Sequence, residues 1–383
     1  MYKEKKYGQV IAKRVVLPKS WVLRLVIVCL VPVGTAFSAD KELWLDSRCK
    51  PMPTQMQGPF VRLDGDAVLS IDNLSSYLSL DGGQSWSKPR AFFDKFQNIK
   101  VSNERAMLRT QNGTIIVAFM NVKEQKWTWK NELHDAPGAK LPTYVMRSLD
   151  DGKSWQDIQK LHDDYTGAIR DIIQTKDGRV VFTAMKMQHN PGRHAVLTYS
   201  SINVGESWKP SGLIDLGGQG HHGGVTEPSL TELKDGRLWM LIRTNWGEFW
   251  SAYSRDGGKF WNILQPSGIK ASCAPCLIKR LESGRLLLLW NRPQPEGKTD
   301  WPLTGGDGLW SEVPVSNHRN ELSLAISDDE GKTWTKPAVI ARQAGTWLAY
   351  PFAFEQQPGV LWVTTMQGKV RMIIKEEDFL KKP

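Results

Sequence analysis

The amino-acid sequence predicts an all-β protein, a six-bladed β-propeller of four-stranded antiparallel blades. Three observations lead there. The pattern Ser-x-Asp-x-Gly-x-x-Trp recurs five times, starting at Ser79, Ser148, Ser201, Ser254 and Ser327, with Asn203 replacing Asp in the third copy. A second unit, an apolar run, a Gly turn and another apolar run, recurs six times around Gly65, Gly113, Gly178, Gly236, Gly284 and Gly359, in phase with the first. The chain of 383 residues also holds 17 Trp and 33 Gly, a composition suited to tight turns and repeated aromatic packing. Internal repeats of this kind, made of short strands, mark a propeller.

In chain order, residues 1–38 come first and carry five Lys and two Arg against Glu4 alone. A basic segment from Lys3 to Lys19 precedes an apolar run from Trp21 to Val33, and Ala36-Phe37-Ser38 offers small residues before a cleavage point. This is the layout of a signal peptide ending at Ser38. It predicts an exported protein, periplasmic or extracellular, with residues 39–383 forming a single propeller. Leu25 to Val33 is far shorter than the about 20 apolar residues that cross a bilayer, so no stable membrane span is expected. That leader holds +6 of the formal +10, leaving +4 for the rest of the chain, and a nucleic-acid partner is not expected. Beyond it stand Cys49, Cys273 and Cys276, an odd number. Cys273-Ala-Pro-Cys276 lacks the βαβ context of a redox motif and reads as structural.

Within each unit the turn Gly joins two apolar strands, and the Asp box follows the third. Asp caps the N–H groups of the box turn, Gly supplies a positive φ, and Trp packs back beneath it. Counting from these markers finds residues at one level of the propeller. Nine before each turn Gly stand Met56, Glu104, Ile169, Glu227, Pro275 and Tyr350; seven after it stand Asp72, Met120, Met185, Arg243, Asn291 and Met366. Roughly nine before the box Asp stand Arg319 in the fifth unit and Arg193 or His194 in the third. Asp72, Glu104, Glu227, Arg243, Arg319 and Tyr350 therefore converge on one mouth. Two insertions, Asn121 to Pro142 and Asn291 to His318, leave the same end and are placed to wall it. Convergence of charged residues from separate blades points to a pocket for an anionic ligand.

On these residues the chain resembles the sialidases, Asp-box six-bladed glycoside hydrolases, over roughly Met56 to Gly368. That family keeps a Glu and an Arg on the fourth blade, an Arg on the fifth and a Tyr on the sixth, places held here by Glu227, Arg243, Arg319 and Tyr350. The resemblance implies an exo-glycosidase that releases a terminal sialic acid or related acidic sugar from a glycan, with retention, as a monomer and without metal or cofactor. Arginines clamp the carboxylate on the anomeric carbon. Tyr350 is then the nucleophile and Glu227 its base, because a neutral phenol avoids the repulsion that a carboxylate nucleophile would meet.

The first blade departs from the family, with Met56-Gln-Gly-Pro59 where an Arg stands in a Phe-Arg-Ile-Pro-like sequence. Arg105 or Arg170 is expected to complete the clamp. Asp72 is the candidate acid/base, with Glu104 and Asp171 as rivals. His221 and His222 lack an acidic ligand cluster, so His222 is expected to hydrogen-bond in the pocket rather than hold a metal; Asn291 joins it as a substrate-binding residue. Two other functions fit the same residues. A polysaccharide lyase would neutralise a uronate with Arg243 and abstract a proton with His222 or Tyr350. A glycan-binding propeller without turnover would need no first-blade Arg.

Overall fold

The computed structural model describes residues 42–93 and 98–380, so the predicted leader, residues 1–38, lies outside the described residues. Six antiparallel sheets form the blades of a propeller. Blade 1 comprises Phe60–Arg62, Val68–Ile71, Ser75–Ser79 and Arg90–Ala91; blade 2 comprises Ala106–Arg109, Ile115–Met120, Thr143–Ser148 and Gln156–His162. Blade 3 runs through Ile172–Gln174, Val180–Gln188, Arg193–Ser201 and Lys209–Pro210, and blade 4 through Thr226–Glu232, Leu238–Arg243, Glu248–Ser254 and Asn262–Lys270. Blade 5 contains Leu277–Arg280, Leu286–Trp290, Glu321–Ser327 and Ala338–Arg342, with Trp44–Leu45 added as a fifth, outer strand. Blade 6 contains Pro351–Gln357, Val360–Thr365 and Arg371–Lys375, and its fourth strand is Lys50–Pro51.

The second strand of each blade is pressed between two neighbouring blades, so both of its faces are apolar. In Ile115–Met120, Ile115, Val117 and Phe119 pack towards blade 1, whereas Ile116, Ala118 and Met120 pack towards blade 3. Successive side chains point to opposite faces of a strand, and a strand buried on both faces reads as a continuous apolar run. The core is accordingly divided into six layers, one between each pair of adjacent blades.

The Asp box fastens these layers. In the first box the Gly83 N–H donates to Ser79 Oγ at 2.8 Å, and the Ser85 N–H donates to Asp81 Oδ1 at 2.9 Å. The other four copies repeat both bonds, Asn203 Oδ1 serving in the third. Positive φ is only part of the Gly requirement. A Cβ on Gly83 would lie 2.1 Å from the Trp362 ring of blade 6, and one on Gly331 would lie 2.4 Å from the Trp239 ring of blade 4. The box Gly is where one blade touches the second strand of the blade before it.

Blade 6 lacks a box because a box joins third and fourth strands, and its fourth strand comes from the opposite end of the chain. Lys50 pairs with Ile373 and Pro51 with Met372, while Trp44 and Leu45 pair with Arg342 and Ala341. The early chain thus closes the ring across blades 5 and 6. Among the described residues, no helix is long and apolar enough to cross a membrane.

These contacts separate two kinds of glycine. Gly83→Ala combines a φ of +90° with a clash on Trp362 and is expected to cost about 3 kcal/mol, the sum of overpacking and left-handed strain. Gly65→Ala has a φ of +64° and nothing within 4 Å, and is expected to cost about 1 kcal/mol from backbone strain alone. Urea unfolding midpoints of the two variants check the order; equal shifts would remove the interblade role assigned to the box.

Candidate active site

At the entry to the first strands of blades 4 and 6 stands a residue in the left-handed region immediately before a proline: Glu227 at φ +47° before Pro228, and Tyr350 at φ +61° before Pro351. Such backbone is costly for a residue with a Cβ and clusters where function needs it. It brings the two side chains together, and Tyr350 Oη donates to Glu227 Oε1 at 2.8 Å. Arg243 arrives from the neighbouring second strand, where it pairs with Thr226, and its Nη1 forms a short ion pair with Glu227 Oε2. Its other terminal nitrogen, Nη2, donates to Cys273 Sγ at 2.8 Å. Arg319 lies between the rings of Trp347 and Tyr350, with Cζ 4.6 Å and 5.8 Å from their centroids. It is held by Asn317, Gln367 and the Cys273 carbonyl. All four predicted residues are nearly enclosed, none more than 8% exposed.

The remaining predicted residues take different places. Arg170 lies over Tyr350 and Phe352, 5.0 Å and 5.1 Å from the ring centroids, and donates to the Pro351 carbonyl. Its Nε and Nη1 are buried without a protein partner. Arg105 has both terminal nitrogens on carbonyls, those of Ser102 and Ile71, and braces blade 2 against blade 1. Asp72 closes an Asx turn: Oδ1 accepts the Leu74 and Ser75 N–H groups, and Oδ2 accepts the Tyr77 hydroxyl. Asp171 accepts from Ser229 Oγ and the Leu230 N–H, tying blade 3 to blade 4. Asn291 donates to the Glu321 and Leu348 carbonyls. His222 stacks on Trp310 with ring centroids 5.2 Å apart and shares a hydrogen bond with His221 through their Nδ1 atoms.

Both insertions reach this mouth. Trp127 packs on Tyr165 at 4.5 Å and Trp129 meets His221 at 5.6 Å, while the His221 and His222 N–H groups donate to the Leu309 and Trp310 carbonyls. The glycine-rich loop before Glu227 is thereby the seam between the two walls. His194, given only as an alternative by register counting, donates through Nε2 to the His221 carbonyl and has its Nδ1 buried without a partner. Cys273 and Asn245 were not anticipated as site residues at all. Among the described residues no group of three His, Cys, Asp or Glu side chains could hold a metal ion.

The electrostatics divide the two glutamates. Burial alone would raise the Glu227 carboxyl, but Arg243, Tyr350 and Arg170 outweigh it and hold the group below the ordinary carboxylate range. Glu104 goes the other way. Burial, supplemented by the negative charge of Glu227, raises its carboxyl against the opposing pull of its own backbone N–H, Arg170 and Arg105. Burial and the Glu227 charge also raise the Tyr350 phenol, against Arg243 and Arg319. His222 and His194 are pushed down by burial, to about 3 and about 4, and are neutral near pH 7. Two carboxyls whose environments drive them apart are the arrangement expected of a base and an acid in one site.

A family model described as a BNR repeat-like domain matches residues 74–363. No sequence among curated proteins matches the chain. Among solved structures, the chain is similar to a Hadza microbial sialidase, with a TM-score of 0.59 and 17% identity over 84% of this chain and 65% of that one. It is also similar to the NanB sialidase of Streptococcus pneumoniae, with a TM-score of 0.55 and 13% identity over 84% of this chain and 68% of that one. An α-L-arabinofuranosidase of Fusarium graminearum gives a TM-score of 0.53 and 12% identity over 84% of this chain and 93% of that one. These likenesses are in fold.

The Glu104 environment makes a prediction independent of substrate. A carboxyl raised in the folded state stabilises fully below its unfolded value and loses that contribution as pH rises through the folded one. Glu104→Gln, which mimics the protonated form, is expected to raise the melting temperature at pH 7 and to leave it nearly unchanged at about pH 4, the unfolded range. Melting temperatures across pH check this, and a gain that grows on acidification would contradict it.

Proposed function

The chain belongs to the BNR repeat-like domain family, and from that premise we propose that it is an exported glycosidase releasing a terminal acidic sugar, sialic acid or a close relative, with retention. The observation that carries this is the bonded set Tyr350, Glu227 and Arg243, with Arg319 against the Tyr350 ring. Arg243 and Arg319 supply two cations for a carboxylate on the anomeric carbon, and Arg170 is the third candidate, since two of its nitrogens lack protein acceptors.

In the first step Tyr350 Oη attacks the anomeric carbon while its proton passes to Glu227 Oε1, which the surrounding cations keep ionised and able to accept it. The glycosidic C–O bond breaks, and the leaving oxygen takes a proton from Glu104. We assign the acid to Glu104 because burial raises its carboxyl, whereas both Asp72 oxygens are engaged in a turn. In the second step water attacks the anomeric carbon and gives its proton to Glu104; the Tyr350 C–O bond breaks, and Glu227 returns the proton to the phenolate. A second reading rests on the same divergence of carboxyls: Glu227 itself is the nucleophile and Glu104 the acid, on a sugar without an anomeric carboxylate.

Fluorophore release from 4-methylumbelliferyl N-acetylneuraminate tests the first reading. Tyr350→Phe is expected to lower kcat roughly 10³-fold. Glu104→Gln is expected to spare this activated substrate yet slow sialyl-lactose hydrolysis by roughly 10²-fold, since only the poor leaving group needs a proton. Full activity in Tyr350→Phe would transfer the nucleophile to Glu227, and turnover of neutral glycosides alone would overturn the acidic-sugar assignment.

A further inference from the structure

Arg243 and Arg319 come from different blades, and one residue holds both. Cys273 lies in the approach to the first strand of blade 5 and is wholly buried. Its thiol accepts from Arg243 Nη2 at 2.8 Å, and its carbonyl accepts from Arg319 Nη2 at 2.5 Å. Its own N–H donates to the Ser316 carbonyl at 2.7 Å, which anchors the corner to the base of the blade 5 insertion.

The direction of every bond in this chain is determined. A guanidinium can only donate, so sulfur is the acceptor from Arg243 and the S–H must point elsewhere. It donates to Asn245 Oδ1 at 2.8 Å, and Asn245 Nδ2 donates to the His222 carbonyl at 2.8 Å. One continuous run of donors and acceptors therefore links the glycine-rich loop to Arg243, and through it to Glu227 and Tyr350. Sulfur is a weak acceptor. It orients the guanidinium without adding a second negative charge to that of Glu227, and Arg243 Nε has no protein partner.

We propose that Cys273 is a positioning residue that sets the spacing of the Arg243 and Arg319 guanidinium groups for a ligand carboxylate. The proposal rests on the acidic-sugar reading for the identity of the ligand, but the arrangement of the arginines does not. A disulfide with Cys276 would abolish the arrangement, and both thiols are free; Cys276 is instead part of the apolar layer between blades 4 and 5.

Calorimetric titration of the full chain with N-acetylneuraminic acid is the test. Cys273→Ala is expected to weaken binding about tenfold, the loss of one charge-assisted hydrogen bond, and Cys273→Ser to stay within about threefold because it restores both an acceptor and a donor. With a sialoside substrate the Ala variant raises KM and leaves kcat within about threefold, a split that a general folding defect does not produce. Wild-type affinity in Cys273→Ala, or equal losses in Ala and Ser, overturns the proposal. If the wild type fails to bind the sugar acid, the acidic-sugar reading falls, and the crystal structure of ligand-free Cys273→Ala decides: a displaced Arg243 guanidinium supports the positioning role, and an unmoved one refutes it.

Discussion

A sheet that must bury both of its faces cannot stand alone, and in this protein each blade satisfies that demand with its two neighbours. The second strands are mostly apolar on both faces, so the hydrophobic effect acts between blades rather than towards a common centre. Consequently the axis is not where the core lies. It is lined by first strands and encloses a cavity of about 640 Å3 that begins at Arg170 and Asp171 and runs away from Tyr350. Ring closure, not a central core, is what holds the inner strands in register, and every residue at the mouth inherits its position from that register.

The mouth concentrates cations that would be destabilising if left alone. Each buried guanidinium is engaged by the protein, and the manner of engagement sorts them. Arg105 spends both terminal nitrogens on main-chain carbonyls and works as a brace. Arg319 is held by side-chain amides and a carbonyl, neutral groups that leave its charge uncancelled. Arg243 faces a carboxylate at the mouth, and that ion pair keeps Glu227 ionised in surroundings that would otherwise neutralise it. Glu104, lacking an equally close cation, is driven the other way by the same burial.

Much of this was legible in the sequence, because period and spacing are properties of strands. Two interleaved repeats in fixed phase gave the number of blades, and counting from turn glycines placed Glu227 beside Arg243 and Tyr350 at their level. What stayed hidden depends on side-chain direction or on contacts between distant segments. Register puts Asp72 at the right height, but its oxygens turn back to cap Leu74 and Ser75. Cys273 stands two positions before the register residue Pro275, and no spacing rule marks its sulfur as an arginine acceptor. The extra outer strand on blade 5 and the borrowed strand on blade 6 are two residues each, too short to carry an alternating pattern. Their only trace was the missing sixth box.

That borrowed strand has a temporal consequence. Lys50 and Pro51 leave the ribosome before any strand of the first five blades' inner sheets, yet their partners Met372 and Ile373 follow all of those strands. Blades 1 to 4 draw their strands from consecutive sequence and can assemble as synthesis proceeds, whereas the ring must wait for the strand Arg371–Lys375. Contacts between such distant segments form slowly, so pairing of Lys50–Pro51 with the edge of blade 6 is expected to come late in folding. The edge of blade 6 is therefore the one seam left open until then, and joining blade 6 to a contiguous fourth strand would remove that late step without altering the sheet order.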